Sequence, residues 1–541
     1  MEDLSDLTAL SPVTETFLRE RYPLLKLFPY GEDILIYDAK PHFACCLSPV
    51  ELSVLIAFLR DASPTDCSQS DDAILGAPTI RALYEKFADL RQAGVFLPGP
   101  ASEISPVDRN AIREQLAYYD ANILLRKFCL EVTEECNFRC TYCKRTIAKD
   151  FRTHASNRLS EEDAYKGIRY YFGKYTAIFQ KLTPEKQALL LQVSPPSLSW
   201  YGGEPFLNFR LLQQTAAYFK SLPWRQFGIS PADLRFSTNT NLSLMTGEML
   251  RFLVENRVTL FASLDGPAAE HDRCRVFAAG GGTFQTAYAN LLKIKQYDPQ
   301  YFRENVSIYG VYTPEHDYRQ CVEFNESIGA LLCRHFPAEY AGVFVAEPVA
   351  ATAQLRRDFA DKLARFRQEA QVAADKPDTP LETFASLFPF VALKTDRPSG
   401  RNELQLALTC PMGFDNLMLA ATGDYLICHK VSGMAIGDCD SGLDLERLIE
   451  LNRQYNATVN GGGCRSCWLV NFCDVCAASR MAGDHFINPA PAECDYFRLR
   501  GEFDFRCFLQ LLLEQPDLWR RIEEYRNDRR KFIGIIDVND F

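Results

Sequence analysis

Phe128-Cys-Leu-Glu-Val-Thr-Glu-Glu-Cys-Asn-Phe-Arg-Cys-Thr-Tyr-Cys143 is the stretch that decides the fold of this 541-residue chain. Residues 128–132 are β-prone and predict a strand, which leads directly into three cysteines spaced Cys136-x3-Cys140-x2-Cys143. Strand-like runs recur at 197–201, 234–237, 259–264 and 306–312, and helical stretches at 161–180, 208–221, 246–256 and 283–297 separate them. This alternation over about 200 residues predicts a parallel sheet or partial barrel with its chemistry at the C-terminal strand ends.

Three cysteines are one ligand short of a closed structural zinc site, which takes four. A [4Fe–4S] cluster held by three thiolates instead keeps one iron free for a small molecule. Tyr142 stands beside the third cysteine, and Tyr201-Gly-Gly-Glu-Pro205 ends another predicted strand. There the glycines would let the backbone approach a ligand, and Glu204 would accept hydrogen bonds from an ammonium group. By itself, a Gly-Gly pair is most often a tight turn.

Composition bounds the class of protein. Hydrophobic residues make up 47% of the chain and charged residues 24%, as in an ordinary soluble protein, and the net charge of −11 argues against nucleic acid as a partner. No apolar stretch reaches membrane-spanning length, and Met1-Glu-Asp-Leu-Ser-Asp6 lacks the basic start of a signal peptide. We therefore expect a cytoplasmic protein without a membrane partner, in which grouped cysteines bind metal. The nine of the 19 cysteines outside two spaced sets are expected to be buried small hydrophobes.

The N-terminal residues predict a small module of strands and helices. Two strands, 33–38 and 42–47, are expected on either side of a Lys40-Pro41 turn, followed by a helix that begins at Ser48-Pro49. A second helix at 79–93 and a closing strand at 95–97 complete a winged-helix-like pattern over residues 1–98. The alternative is a plain extension packed on the main domain. A linker and helix at 99–124 follow.

The assembled residues resemble the radical S-adenosylmethionine (SAM) enzymes. Cys136, Cys140 and Cys143 match the family's CxxxCxΦC signature, and Gly202-Gly-Glu-Pro205 matches its GGEP motif. Further segments resemble a block of the peptide-modifying branch: Ala262-Ser-Leu-Asp-Gly-Pro267, His271-Asp272, Arg275 and Gly282-Thr-Phe284. Ser237-Thr-Asn-Thr-Asn241 departs from the family's Thr-Asn-Gly, and we assign it no role.

The resemblance implies a reaction and a set of contacts. In that family the amino and carboxylate groups of SAM chelate the free iron, and one electron cleaves the sulfonium to give a radical that abstracts a hydrogen atom from the substrate. The three cysteines would bind the cluster. Further roles are implied as follows: Gly202, Gly203 and Glu204 at the methionyl amine, Tyr142 at the nucleoside, and Ser263 and Arg275 at the ribose and carboxylate. The planar fork of an arginine matches a carboxylate's two oxygens.

A second cysteine set lies near the C-terminus: Cys410, Cys428, Cys464, Cys467, Cys473, Cys476 and Cys494. Four of these alone would also fit a zinc knuckle. Together with Gly423 they resemble the SPASM domain, which holds two auxiliary [4Fe–4S] clusters. The resemblance implies one cluster on Cys410, Cys428 and Cys476 and the other on Cys464, Cys467, Cys473 and Cys494. Leu404 stands where a fourth cysteine of the first cluster is usual, so either another ligand completes that site or one iron is open to substrate.

His429 follows Cys428, where sulfatase-maturing relatives have an aspartate base. It is a candidate base or polar lining residue, with a plain structural histidine as the alternative. Together with Cys467-Trp468, it makes the chain look closer to maturases of ribosomally made, Cys-rich peptides.

The predicted fold class is therefore α/β. A partial (β/α)6 TIM-type radical SAM barrel would carry an N-terminal winged-helix-like domain and a C-terminal Cys-rich SPASM iron–sulfur domain. The predicted boundaries are 1–98 for the leader-recognition domain, 99–124 for linker and helix, 125–340 for the barrel, 341–405 for a bridging region, 406–496 for the SPASM domain and 497–541 for a helical cap.

The favoured function is maturation of a precursor peptide whose leader adds as a strand to residues 42–47 and lies against the helix at 79–93. A thioether between a Cys thiol and a carbon is the favoured product, and carbon–carbon cross-linking and epimerisation compete with it. Two further hypotheses are maturation of a folded sulfatase- or quinoprotein-type substrate and a non-catalytic zinc scaffold. The expected cofactors are SAM and three [4Fe–4S] clusters, and the expected partners are the peptide and a flavodoxin- or ferredoxin-type electron donor.

Overall fold

The computed structural model describes residues 11–536 except 42, 68–72, 102–107, 148–153, 314, 338–352, 377–411, 428–433, 471–472, 474–479, 483–484, 489–490 and 528–535. The strands are β1 (Leu25–Tyr30), β2 (Asp33–Asp38), β3 (Phe43–Leu47), β4 (Lys127–Thr133), β5 (Ser197–Gly202), β6 (Arg235–Thr240), β7 (Thr259–Ser263), β8 (Val306–Tyr312), β9 (Leu332–Pro337), β10 (Asn416–Leu419), β11 (Asp424–Leu426), β12 (Ala435–Asp438), β13 (Gly442–Leu443), β14 (Met481–Ala482) and β15 (His485–Phe486).

The helices are α1 (Pro12–Arg21), α2 (Pro49–Leu59), α3 (Ala77–Gln92), α4 (Arg109–Asn122), α5 (Lys144–Ile147), α6 (Glu161–Phe179), α7 (Pro184–Val193), α8 (Phe209–Ser221), α9 (Gly247–Glu255), α10 (Ala268–Cys274), α11 (Phe284–Tyr297), α12 (Pro299–Asn305), α13 (Tyr318–Ser327), α14 (Ala353–Asp375), α15 (Leu445–Gly461), α16 (Pro491–Glu514) and α17 (Pro516–Asn527). Short 3-10 helices cover Pro64–Asp66, Pro205–Asn208, Trp224–Phe227 and Gly463–Ser466.

The central sheet has the order β13-β12-β11-β10-β4-β5-β6-β7-β8-β9. Every pair from β10 to β9 is parallel, and β11 to β13 are added antiparallel at the other edge. The predicted α/β class is confirmed, and β4 to β9 are the strands of the partial barrel. The sixth of these, β9, was not among the predicted strand runs because Arg334 and His335 interrupt its apolar pattern.

The barrel strands bury one face against helices and leave the other partly open. Leu198 and Trp200 on β5, and Leu260 and Ala262 on β7, are buried in the main core, while the residues between them are half-buried. This period-two alternation is the one expected of strands with two different environments. The less buried face carries polar groups, such as the pair Ser199 Oγ and Ser237 Oγ, which lie 2.7 Å apart.

The N-terminal module is an antiparallel sheet, β1-β2-β3, with α2 and α3 packed on it over a core of its own. Residues 95–97 were predicted as a closing strand, and this is wrong, since the chain turns there. Phe96 has a φ of 57° and donates its N–H to the buried Asp38 Oδ2 at 2.7 Å. A carboxylate at the end of β2 therefore closes the module where a strand was expected. His42 lies outside the described residues.

The other face of this sheet packs on the C-terminal region. Phe28 and Tyr37 share a buried cluster with Trp468, Phe497 and Phe505. The rings of Phe28 and Trp468 meet edge to face at 5.5 Å. The module is thus joined to the rest of the chain by a buried aromatic interface as well as by its linker.

Cysteine burial corrects one expectation. Cys46 was expected to be buried but is exposed, because β3 lies at the edge of its sheet and alternate residues of this strand face outward. Cys274, Cys321 and Cys507 are buried as expected, and the other five are half-buried: Cys45, Cys67, Cys129, Cys333 and Cys439.

The C-terminal helices differ from the predicted division. Helix α16 runs from Pro491 to Glu514, so the predicted boundary between residues 496 and 497 falls inside a helix. The boundaries at 340/341 and 405/406 lie outside the described residues. Within the part of the chain that the structure describes, no helix is both long enough and apolar enough to cross a membrane.

Candidate active site

The cysteine trio follows the carboxyl end of β4. Cys136, Cys140 and Cys143 lie in one small cluster with Phe138 and Tyr142. Cys136 Sγ accepts a hydrogen bond from the Phe138 N–H at 3.4 Å. Burial, and next the nearby Glu204 carboxylate, raise the pKa of Cys136 to about 12. The three cysteines therefore belong to one packed cluster, and Cys136 lies near Glu204, which follows β5.

Gly202 and Gly203 bring the end of β5 against the loop that leads to the trio. Gly202 has a φ of 147°, and a Cβ there would stand 2.1 Å from the Thr133 carbonyl oxygen. A Cβ on Gly203 would stand 2.1 Å from the Glu135 carbonyl oxygen. The Gly203 N–H donates to the Thr133 carbonyl oxygen at 2.9 Å, so backbone contacts alone hold the ends of β4 and β5 together. Glycine is required here by the chain's own packing, and an approach to SAM stays a prediction.

Glu204 is 1% exposed and holds its carboxylate in three hydrogen bonds. Its oxygens accept from the Asn241 N–H at 2.7 Å, Thr240 Oγ1 at 2.9 Å and the Phe206 N–H at 3.2 Å. Burial nevertheless raises the pKa of Glu204 to about 7. A cation beside this carboxylate would stabilise its charged form, as the predicted contact with an ammonium group requires.

Asn241 is a site residue to which sequence reasoning gave no role. Its Nδ2 donates to Asn137 Oδ1 at 2.9 Å and lies 3.9 Å from Cys136 Sγ. The following Leu242 is fully buried with a φ of 62°, a region that favours glycine. Thr240-Asn241-Leu242 follows the Thr-Asn-Gly pattern except for the leucine at its third position. The sequence feature that could have identified Asn241 is the second of the two Thr-Asn pairs, Thr240-Asn241. It was missed because Leu242 stands where the family's motif has glycine.

Arg275 and Tyr142 both donate hydrogen bonds to the buried carboxylate of Asp265. Asp265 belongs to the motif at 262–267, and no role was predicted for it. Asp265 Oδ2 accepts from Arg275 Nε at 2.8 Å and from the Tyr142 hydroxyl at 2.7 Å, and Oδ1 accepts from the Val311 N–H at 2.8 Å. Burial acts to raise the pKa of Asp265, but Arg275, His271 and the Val311 N–H together outweigh it, so the pKa is lowered. Arg275 donates to Asp265 through its Nε. The predicted contact with a carboxylate would use its two Nη groups.

His271 helps to position Asp265 by a hydrogen bond with the Asp265 backbone. Its Nδ1 accepts from the Asp265 N–H at 3.3 Å, so Nε2 carries the proton and donates to Thr283 Oγ1 at 3.0 Å. Burial lowers the pKa of His271 to about 4, which keeps the ring neutral. Asp272 Oδ1 accepts from the Thr283 N–H at 2.7 Å, and a Cβ on Gly282 would stand 2.2 Å from Asp272 Oδ2. This block of the sequence is a scaffold that positions Asp265 and Arg275.

The remaining predicted SAM contact, Ser263, is the last residue of β7 and is half-buried. It pairs with Tyr309 of β8 at the same edge of the sheet as Asp265. The structure thus places eight of the nine predicted residues at the carboxyl ends of β4, β5 and β7 or in the loops after them, and Arg275, which follows α10, contacts Asp265 after β7.

The second cysteine set is described in part. Cys464, Cys467, Cys473 and Cys494 line one cavity of 130 Å³, together with Arg480 and Arg498. Cys410, Cys428, Cys476 and His429 lie outside the described residues, so their predicted roles are untested. In the described part of the chain, no three His, Cys, Asp or Glu side chains are arranged to bind a single metal ion.

Residues 130–323 match the family model described as the Radical SAM superfamily. The matched segment begins in β4 and ends in α13, so it contains the trio, Glu204, Asp265 and Arg275. It is a radical SAM domain, the domain of enzymes that use SAM and a [4Fe–4S] cluster. None of the curated proteins compared with the chain matches it.

Solved structures similar to this chain include native anSMEcpe with bound AdoMet and the Cp18Cys peptide, at 15% identity and a TM-score of 0.48, covering 74% of this chain and 99% of that one. SuiB of Streptococcus suis bound to precursor peptide SuiA has 12% identity and a TM-score of 0.40, covering 86% and 98%. BtrN in complex with AdoMet and 2-DOIA has 11% identity and a TM-score of 0.28, covering 66% and 95%.

Proposed function

We propose that the chain is a radical SAM maturase that modifies a ribosomally made, Cys-rich precursor peptide, with a thioether as the product. One observation carries the proposal beyond the radical SAM domain. The N-terminal sheet packs directly on the loop of the second cysteine set, where Trp468 adjoins Cys467 and meets Phe28 at 5.5 Å. A peptide-binding sheet fixed at this place would hold a substrate close to the cysteine-lined cavity.

The edge of that sheet supports binding of a leader peptide. β3 is the last strand of its sheet among the described residues, so its outer backbone groups can pair with an added strand. Lys86 of α3 is close enough to Cys45 of β3 to lower the pKa of its thiol, although burial outweighs it. A leader on this edge would therefore run beside a helix that carries a positive charge.

The first site has the groups that SAM needs. In the proposal Cys136, Cys140 and Cys143 bind the cluster, and Gly202, Gly203 and Glu204 orient the methionyl amine. Arg275 holds the carboxylate with its two Nη groups while its Nε stays on Asp265, and Tyr142 and Ser263 contact the nucleoside. A bound cluster with SAM supplies one-electron cleavage of the sulfonium, and an auxiliary cluster supplies an acceptor for one electron.

The peptide chemistry balances with those two functions. One C–H bond and one Cys S–H bond of the peptide break, and one S–C bond forms. The carbon's hydrogen leaves as an atom in 5′-deoxyadenosine, the thiol's hydrogen leaves as a proton to a base, proposed as His429, and one electron passes to the acceptor. The peptide therefore loses two hydrogens, and methionine is released from SAM.

The C-terminal cysteines are proposed as ligands of the two auxiliary clusters. Cys464, Cys467, Cys473 and Cys494 fit one cluster because they line a common cavity much larger than the roughly 30 Å³ that one water occupies. Cys410, Cys428 and Cys476 are proposed for the other.

The test is anaerobic reconstitution, followed by incubation with SAM, a reductant and short Cys-rich peptides encoded beside the gene. We expect about twelve irons per chain and a product lighter by two hydrogens. Deleting the leader should abolish turnover; equal turnover without it would favour a folded-protein substrate. A colourless, zinc-loaded chain would overturn the proposal.

A further inference from the structure

Arg480 lies in the wall of the cavity formed by the second cysteine set, and it is 1% exposed. Its Nη2 donates to Cys464 Sγ at 3.6 Å. Its Nε and Nη1 are buried and have no hydrogen-bond partner among the described residues. Leaving buried N–H groups of a charged side chain unpaired costs several kcal/mol, so a partner for them is expected.

Among the described residues, no carboxylate forms an ion pair with Arg480. Tyr455, Cys464 and Cys473 act on it electrostatically, and none of these three is a carboxylate. Arg498, on the same cavity, differs because it donates to Asp495 Oδ1 at 2.8 Å. A buried cation needs an anion beside it. In the part of the chain that the structure describes, the cysteine sulfurs are the groups that can supply that charge.

A cluster on the four cysteines would satisfy both requirements. Four thiolates around a [4Fe–4S] core bring net negative charge, and their sulfurs accept N–H hydrogen bonds. The cavity volume of 130 Å³ suits a group of several atoms rather than a single ion. The unpaired N–H groups and the cavity are thus two independent observations that point to the same occupant.

We propose that Arg480 is a positioning residue for this auxiliary cluster. It donates a hydrogen bond to Cys464, one of the cluster's ligands, and it raises the cluster's reduction potential. The inference rests on the proposed function, in that Cys464, Cys467, Cys473 and Cys494 must bind a cluster. Reduction adds one negative charge to the site. A fixed positive charge in a buried, low-dielectric surrounding stabilises the reduced form more than the oxidised form, so the cluster takes up an electron more readily.

The experiment is a redox titration of the reconstituted full-length chain, followed by electron paramagnetic resonance. A Cys464→Ala/Cys467→Ala double variant identifies the signal of this cluster by its disappearance. In Arg480→Gln we expect full iron content and at least a tenfold fall in the reduced-to-oxidised ratio of that signal at the wild-type midpoint, equivalent to about 59 mV for one electron. The matched control is Arg453→Gln, which removes an exposed arginine ion-paired with Glu450 and should leave the ratio unchanged.

An unchanged ratio in a fully loaded Arg480→Gln enzyme would overturn the inference while leaving the cluster in place. Should Arg480→Gln lose iron, Arg480→Lys decides: it keeps the charge but not the planar fork. Because the lysine still carries the positive charge, a ratio within threefold of the wild type supports the role of that charge, and a larger fall overturns it. If no signal disappears in the double cysteine variant, the auxiliary cluster itself is wrong, and the iron count shows this separately.

Discussion

The backbone N–H of Asn241 donates to Glu204 Oε2 at 2.7 Å, while the Asn241 side chain lies 3.9 Å from Cys136 Sγ. A single residue at the end of β6 therefore links the carboxylate that follows β5 to the first cysteine that follows β4. The site is built from the ends of neighbouring parallel strands, where barrels of this type place their chemistry. Its geometry depends on close backbone packing at those ends.

Gly203→Ala should disrupt this packing. The added Cβ would stand 2.1 Å from the Glu135 carbonyl oxygen, and a backbone atom cannot move aside cheaply. We expect a loss of more than about 2 kcal/mol of unfolding free energy and less iron bound at the trio, measured by chemical denaturation and iron assay. The matched control is Gly173→Ala in α6, where a Cβ meets nothing within 4 Å and should stabilise the helix by about 0.5–1 kcal/mol. Equal stability of the two variants would contradict the close backbone packing at the ends of β4 and β5.

Leu242→Gly restores the family's Thr-Asn-Gly but should still destabilise the protein. Relief of the left-handed backbone at Leu242 gains about 1–2 kcal/mol. Removing a fully buried leucine from the main core costs more, about 2–5 kcal/mol for the side chain alone. We expect a lower midpoint in urea unfolding. A variant more stable than the wild type would mean that backbone strain outweighs burial here.

Asp265→Asn should weaken SAM binding. The buried carboxylate accepts hydrogen bonds from Arg275, Tyr142 and Val311, and an amide can neither accept all of them nor balance the charge of Arg275. Breaking a buried ion pair costs about 3–5 kcal/mol, so we expect the Kd for SAM to rise at least tenfold in anaerobic equilibrium dialysis. Glu323→Gln, which removes the exposed pair with Arg319, is the control and should bind SAM normally. Unaltered affinity in Asp265→Asn would exclude this carboxylate from the site.

His271 should make the domain sensitive to mild acid. Its pKa is lowered by burial to about 4 in the folded chain, against 6.5 for an exposed ring, so between these values the unfolded chain binds more protons. Stability is therefore lost as the pH falls through this window, by about 2 kcal/mol between pH 7 and pH 5. His271→Gln should lose less stability than the wild type over the same range in urea unfolding. His485→Gln, at an exposed ring, should behave as the wild type. Identical pH profiles for all three proteins would contradict this assignment.

The local signals in the sequence were enough to predict five of the six barrel strands, β4 to β8, and the position of the cysteine trio after β4. The trio follows β4, Gly202 ends β5, and Gly203 begins the turn after it. These motifs could be predicted because each is a run of contiguous residues beside a strongly β-prone segment. The strand β9 was missed because charged residues interrupt it, and the pairing of β10 with β4 was missed because it joins residues nearly 300 positions apart.

Tertiary contacts account for what the sequence could not reveal. Asp265 became a site residue only when the fold brought it to Tyr142, which is 123 positions away. Asp38 closes the N-terminal module by a side-chain hydrogen bond to Phe96, where the apolar pattern had predicted a strand. Neither contact leaves a periodic signature in the chain.

The central claim is that the trio activates SAM, and release of 5′-deoxyadenosine tests it most directly. The reconstituted, reduced chain should release 5′-deoxyadenosine from SAM under anaerobic conditions, and Cys140→Ala should release none. If the fully iron-loaded wild type releases no 5′-deoxyadenosine even with its peptide present, the account is contradicted.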